Sequence, residues 1–481
     1  MSSIKKNLLY NIIYQLLLIV LPLITTPYIC RVLGADGIGI YTYSYTVANY
    51  FMLLAMLGVK NYGNRSIAAV RDNRQILSQT FWEIYGLQFW CAAIALAAYF
   101  AFVFLFEADC PAIAVIQGIY VFSGMIDISW LFFGLEQFRI TVVRNIAIRL
   151  GALALVFLLV KNADHLWVYT LIMTGSVLIS QGYLWLYVRR FVDWQRPKLA
   201  DLWKHLRPEL VLFIPVIAVS LYKMMDKIML KQLSDFTQVG YYESVDKIIN
   251  IPTGIITALG VVMLPRMANL AAKAQTEKSR LYIANSLLFA MFLASGMAFG
   301  LAGISENLIP LFLGEGYLPC ISLLQAIAPT ILFVAWANVL RTQYLIPNHL
   351  DRSYIISVSL GAAVNLFLNA LLIPHLNAMG AVIGTIFAEA AVCVCQTVMV
   401  RKALEVRRYL RATLPFLLLG GGMYLLILWL DCLPFGSALT LVVQILAGGA
   451  VYSLACGVYL VRFQHISLDK FLPKRRRKGD V

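Results

Sequence analysis

YKMMDKIMLKQLSDFTQVGYYESVDK, residues 222–247, decides how the rest of this chain is read. Its first half closes an apolar run from Val211 to Leu230, and its last residues open a second run that continues to Leu264. Lys223, Asp226 and Lys227 lie in the first run; Glu243, Asp246 and Lys247 begin the second. A charge inside a bilayer-spanning helix costs about 2.5–3.5 kcal/mol on insertion scales, so charges kept there point to function or to pairing. The spacing i, i+3, i+4 puts Lys223, Asp226 and Lys227 on one helical face. Two readings follow. In one, the three lysines face a central cavity and attract an anion, while Asp226, Glu243 and Asp246 tune them or titrate with a coupling ion. In the other, the charges pair with one another and hold two helices together.

The surroundings are those of a membrane protein. Of 481 residues, 61% are hydrophobic and 13% charged, with a mean hydropathy of +0.78; soluble domains carry about 25% charged residues. The eight cysteines are scattered without a CxxC or a Cys/His cluster, so neither a disulfide framework nor a metal site is expected. MSSIKK precedes a long apolar run without a small-residue cleavage site, which reads as an uncleaved first span. No GxxxxGK[ST], HExxH or GxSxG motif occurs, so phosphate-loop ATP hydrolysis, zinc proteolysis and nucleophile-elbow chemistry are not indicated. No cofactor is implied.

A span needs about 20 mostly apolar residues. Fourteen stretches qualify: 8–30, 39–59, 80–106, 112–134, 140–160, 166–188, 211–230, 239–264, 281–304, 319–340, 354–374, 378–400, 412–431 and 436–461. The stretch 306–318 is apolar but short, and reads as interfacial or re-entrant. With a cytoplasmic N-terminus, 32 of the 39 Lys and Arg fall on cytoplasmic segments. Three (Arg31, Lys161, Lys231) fall outside, and four (Arg149, Lys223, Lys227, Lys247) within spans. The positive-inside rule thus places both termini in the cytoplasm. The net charge of +15 sits largely on these segments, so it speaks for membrane topology and not for nucleic acid. The basic tail 474–478 reads as a topology anchor beside anionic lipid.

Compared with itself, the chain shows a direct repeat. Arg31–Leu33 matches Lys231–Leu233, and Gly39–Tyr41 matches Gly240–Tyr242. Pro111 and Gln117 match Pro319 and Gln325; Leu150–Ala152 matches Leu360–Ala362; Arg189–Arg190 matches Arg401–Lys402. The offset grows from 200 to 212 without reversing. The expected organisation is all-α: a six-helix bundle over 1–190, a second over 209–402 in the same orientation, and two added helices with a basic tail over 403–481. Bundles so related commonly hold substrate near the midplane between them.

Other polar residues sit on apolar segments. Asn11 and Gln15 share one face; Tyr41, Tyr45 and Asn49 share another at i, i+4, i+8, suited either to sugars or to interhelical hydrogen bonds. Arg144 is close enough to a span end to snorkel to the cytoplasmic interface, whereas Arg149, deeper, is a candidate cavity cation. Asp127 and Glu389 are candidate proton or Na⁺ sites, or partners of a neighbouring base, with Asp127–Arg149 one such pair. Glu136 and Arg139 read as an interfacial pair.

PYICRVLGADGIGIYTYSY (27–45), LGVKNYGNRSIA (57–68), DISWLFFGLEQFR (127–139), MDKIML (225–230), GYYESVDKI (240–248) and VMLPRM (262–267) together resemble bacterial oligosaccharide flippases of the Wzx type. These form the polysaccharide transporter branch of the multidrug/oligosaccharidyl-lipid/polysaccharide exporter superfamily. The resemblance implies a non-enzymatic task in the bacterial cytoplasmic membrane: moving undecaprenyl-diphosphate-linked repeat units between leaflets by alternating access, for capsule, O-antigen or exopolysaccharide. It implies H⁺ or Na⁺ coupling and contact with polymerase machinery as further expectations. It also implies a cationic cavity, which Lys223, Lys227, Lys247 and Arg149 would supply here for the diphosphate, with Tyr41, Tyr45 and Asn49 for the sugars. The alternatives are a flippase for lipid II or another lipid-linked glycan, an ion-coupled small-molecule exporter, and a polytopic glycan enzyme. The exporter of cationic drugs would need an acidic cavity, and the enzyme a large outer loop that the sequence lacks.

Overall fold

The structure is a computed structural model that describes residues 2–107, 109–432 and 436–463. The tail 474–478 lies outside these, as do the side chains of Asn11 and Gln15. Among the described residues every regular element is helical. In order these are α1 Ser2–Met56, α2 Val59–Val70, α3 Arg74–Phe106, α4 Pro111–Met125, α5 Ser129–Gly134, α6 Phe138–Leu159, α7 Leu166–Phe191 and α8 Leu199–Leu233. They continue as α9 Phe236–Ala272, α10 Thr276–Phe312, α11 Cys320–Ile327, α12 Thr330–Leu340, α13 Asp351–Leu376, α14 Ala378–Val400, α15 Val406–Asp431 and α16 Ser437–Phe463. Eleven spans among the described residues are long and apolar enough to cross a membrane. The expected spans 8–30, 39–59 and 211–230 lie on α1 and α8, outside those eleven.

Several boundaries differ from expectation for local reasons. The connection expected between the first two spans is a single break inside α1 at Gly34, whose φ of 69° suits glycine. The expected span 112–134 is interrupted between α4 and α5, leaving Asp127 in the break. Gln88 of α3 closes that break: its Nε2 donates to Gly124 O (2.7 Å) and Asp127 O (2.9 Å), and its Oε1 accepts from Trp130 Nε1 (3.0 Å). Of the stretch 306–318, expected to be interfacial or re-entrant, residues 306–312 complete α10. The span 319–340 divides around Pro329 and ends in a π-helical turn, Arg341–Leu345.

The chain forms two compact units. One comprises 1–244 with 366–381; the other comprises 245–365 with 382–481. The first unit's core gathers Met56, Ile67, Phe81, Ile84, Trp130 and Phe132 around α2, α3 and α5. Small residues bring the elements close: a Cβ on Gly63 would sit 2.6 Å from the Trp130 ring, and one on Gly134 would sit 2.7 Å from Ile67. Such approach supplies the van der Waals contact that drives helix association where lipid already satisfies the hydrophobic effect. In the second unit α10 packs on α15 and α16, with Tyr452 Oη donating to Phe292 O at 2.8 Å.

The hairpin 222–247 is two long helices, α8 and α9, joined at Ser234–Asp235. Its crossing with α1 depends on two glycines. A Cβ on Gly39 would fall inside the van der Waals envelope of Phe236 O, and one on Gly240 would fall inside that of Ala35 O.

Candidate functional site

A cavity of about 550 Å³ lies within the first unit. Its walls come from α1, α2, α4, α5, α6 and α7, and it brings together residues far apart in sequence. Tyr41 and Tyr45 of α1, Tyr120 of α4 and Tyr169 of α7 form an aromatic side. Tyr41 stacks with Tyr45 at 6.0 Å between centroids and meets Tyr169 edge-on at 4.8 Å; Tyr45 lies 5.2 Å from Tyr120. The one-turn spacing of Tyr41 and Tyr45 on a helix produces the first contact directly.

The polar side is basic. Lys60, Arg144 and Arg149 line the cavity against one carboxylate, Asp127. Asp127 is fixed by the helix break: its Oδ1 accepts from Ser129 N at 3.0 Å, and its Oδ2 stands 3.4 Å from Lys60 Nζ. Arg144 is buried, donating through Nη1 to Ser180 O (2.8 Å) and through Nη2 to Asn145 Oδ1 (2.8 Å). Ser180 Oγ donates to that same Asn145 Oδ1 at 3.2 Å. These bonds orient the guanidinium, a planar donor group whose fork matches phosphate or carboxylate oxygens. The cavity therefore joins ring faces, which stack on sugars, to an excess of positive charge, which attracts an anion.

Of the residues singled out from the sequence, Tyr41, Tyr45, Arg149 and Asp127 are brought together here. Asn49 does not line the cavity; it lies behind the rings, accepting from Tyr120 Oη at 3.0 Å and approaching Met224 Sδ at 3.2 Å. Two neighbourhoods differ in detail from expectation. Arg144 does not snorkel to an interface but turns inward, because Ser180 and Asn145 supply acceptors on the cavity side. Asp127 has a neighbouring base as partner, one of the two expected readings, but that base is Lys60 at the start of α2 and not Arg149. Glu136, likewise, pairs with Arg71 at 2.7 Å.

None of the opening cluster is among the residues that line this cavity. Lys227 Nζ meets Glu243 Oε2 at 2.6 Å, joining α8 to α9 with both side chains largely covered. Asp226 is 3% exposed and accepts from Tyr242 Oη and Asn369 Nδ2, both at 2.6 Å. Lys223 is exposed, so the shared helical face divides into a buried acid and an outward base. Asp246, Lys247 and Glu389 belong to the second unit and are partly buried there. Sequence reading missed Lys60, Arg144, Tyr120, Tyr169, Asn145 and Ser180 as cavity residues. One signal was available: Tyr169, Ser176 and Ser180 recur at helical spacing along the otherwise apolar α7.

Beyond the cavity, a second cluster with two bases ties the start of α8 to α2 and α3. Glu83 Oε2 is held by Lys204 Nζ (2.7 Å) and His205 Nε2 (3.1 Å), and Tyr62 Oη lies 2.7 Å from His205 Nδ1. Burial pushes the His205 imidazole below its ordinary range, with the Glu83 carboxylate opposing that shift.

A multi-pass helical protein with a solute-sized polar chamber among its helices is defined by these observations. Residues 4–271 match the model of the polysaccharide biosynthesis protein family, and the chain belongs to that family. It is 22% identical over 404 residues to the "Putative O-antigen transporter" of Escherichia coli (strain K12), covering 83% of this chain and 97% of that protein. In fold it is similar to the lipid II flippase MurJ in an inward closed conformation, with a TM-score of 0.67, 13% identity, and coverage of 95% of this chain and 100% of that one. It is also similar to an inward-facing multidrug resistance MATE family transporter of the MOP superfamily, with a TM-score of 0.56, 12% identity, and coverage of 82% and 99%.

Proposed function

We propose that the protein is a flippase that carries undecaprenyl-diphosphate-linked oligosaccharide repeat units across the bacterial cytoplasmic membrane by alternating access, for O-antigen, capsule or exopolysaccharide assembly. The observation that carries this reading is the cavity's pairing of tyrosine rings with three bases against one carboxylate. The rings offer faces to sugars, and Arg144, Arg149 and Lys60 offer charge to a diphosphate. The family match and the O-antigen transporter relative support the same task. A cationic drug would be repelled by this lining, which disfavours the small-molecule exporter. Lipid II remains the alternative cargo, since it presents the same diphosphate chemistry.

The wider reading goes with it. Fourteen spans, two six-helix bundles over 1–190 and 209–402 with two helices following, and both termini in the cytoplasm are proposed on the hydropathy, the repeat and the positive-inside distribution. Lys223, Lys227 and Lys247 are proposed to add positive charge along the route, with Asp226, Glu243, Asp246, Asp127 and Glu389 as ion-coupling or pairing groups. Transport of this kind needs no covalent step at the protein, and no enzymatic role is assigned.

Reconstitution tests the reading. Proteoliposomes would be loaded with undecaprenyl-diphosphate-linked oligosaccharide, and its arrival in the outer leaflet read by an added glycosidase. Translocation should fall about tenfold or more in Arg149→Ala and Tyr41→Ala, with folding retained, as expected for loss of one charge-assisted or stacking contact. Equal rates in wild type and both variants would exclude this cavity, and transport of lipid II alone would move the protein to the alternative.

A further inference from the structure

The turn between α14 and α15 borders a cleft of about 1030 Å³ in the second unit, lined by none of the residues of the cavity described above. Arg401, Lys402, Arg407, Arg408 and Arg411 line it, all of them exposed. The one acid in the lining, Glu405, is already engaged by Arg408 at 3.0 Å. Five bases crowded round one carboxylate repel one another, and an entering anion relieves that repulsion. Arginine predominates, and its planar fork suits phosphate oxygens better than a lysine point charge does.

The cleft's surroundings say which anion. Arg407, Arg411, Leu414 and Leu418 follow each other at +4, +3 and +4 on α15 and so form one stripe. Leu414 is 53% and Leu418 69% exposed, so the stripe is basic in the first turns and apolar beyond them. The positive-inside distribution puts the basic end at the cytoplasmic leaflet, where anionic headgroups concentrate. A soluble anion would use the arginines and leave the leucines idle. A phospholipid uses both.

We propose that this cleft binds the phosphate headgroup of an anionic phospholipid of the cytoplasmic leaflet, with an acyl chain lying along Leu414 and Leu418. The lipid would bridge the end of α14 to the start of α15 and steady the C-terminal hairpin.

The full chain, purified in detergent, would be titrated with dioleoylphosphatidylglycerol and the bound lipid counted by native mass spectrometry. Phosphatidylglycerol is expected to bind at least about tenfold more tightly than dioleoylphosphatidylcholine, and Arg407→Gln with Arg411→Gln to remove at least that margin, since each base near a headgroup is worth about fivefold in affinity. Arg407→Lys with Arg411→Lys, which keeps the charge, should retain most of the binding. A control that removes two bases from another segment, Arg189→Gln with Arg196→Gln, should leave it unchanged. The proposal is overturned if the control weakens binding equally, if phosphatidylcholine binds as well, or if inorganic phosphate displaces the lipid at equal concentration.

Discussion

Gly39 and Gly240 form a reciprocal joint: each lies against the backbone of the other's helix, one at Phe236 O and the other at Ala35 O. The offset between the two glycines, 201 residues, is also the offset between Ala35 and Phe236. A two-fold relation between repeated hairpins would produce this reciprocity, which gives the proposed repeat a geometric consequence at one crossing.

Adding a methyl group at either glycine should separate the helices. Gly39→Ala or Gly240→Ala is expected to cost about 1–3 kcal/mol, the range for overpacking a close contact. Because both residues belong to one crossing, the double variant should cost less than the sum of the singles. Thermal unfolding of the four proteins in detergent checks this, and strict additivity would count against a shared joint.

Lys227 and Glu243 distinguish a clamp from a substrate contact. Lys227→Met removes the Lys227–Glu243 ion pair from between two largely covered side chains, so about 1.5–3 kcal/mol of stability should be lost, whereas Lys227→Met with Glu243→Leu should recover much of it. Recovery of stability with transport intact would define the pair as structural. Transport lost in both, with stability unaffected, would instead give Lys227 a direct role toward the anion.

Gln88 of α3 holds together the helix break that carries Asp127. Gln88→Ala would leave Gly124 O, Asp127 O and Trp130 Nε1 without their buried partner. A loss of about 1–3 kcal/mol is expected for such unsatisfied groups. If the break between α4 and α5 positions Asp127, the variant should also weaken cargo binding although Gln88 is not among the cavity-lining residues. Unaltered binding at reduced stability would confine Gln88 to a structural role.

His205 should make the stability of the first unit sensitive to acid. Burial lowers its pKa, so the folded protein keeps a neutral imidazole, donating from Nε2 to Glu83 and accepting at Nδ1 from Tyr62. The unfolded chain takes up the proton near its ordinary pKa of about 6.5, so stability is full above that pH and declines as pH falls through it. His205→Gln should flatten the dependence of melting temperature on pH between about 7 and 5.5. An unchanged slope would assign the acid sensitivity to another group.

The sequence by itself determined the membrane class, the helical fold, the family resemblance and the presence of Tyr41, Tyr45, Arg149 and Asp127 as polar residues worth explaining. These are legible because hydropathy and helical spacing act over tens of contiguous residues and need no knowledge of neighbours. Only the tertiary structure decided which polar groups meet. Lys60 reaches Asp127 because α4 breaks where Gln88 can cap the exposed carbonyls, and Arg144 turns inward because Ser180, 36 residues away, offers its carbonyl. The charged hairpin 222–247, the loudest signal in the sequence, proved at Lys227–Glu243 to be paired internally. A charge in an apolar helix announces that it has a partner, but the partner's identity depends on helix crossings such as that at Gly39 and Gly240, where contacts between residues 200 positions apart set the geometry.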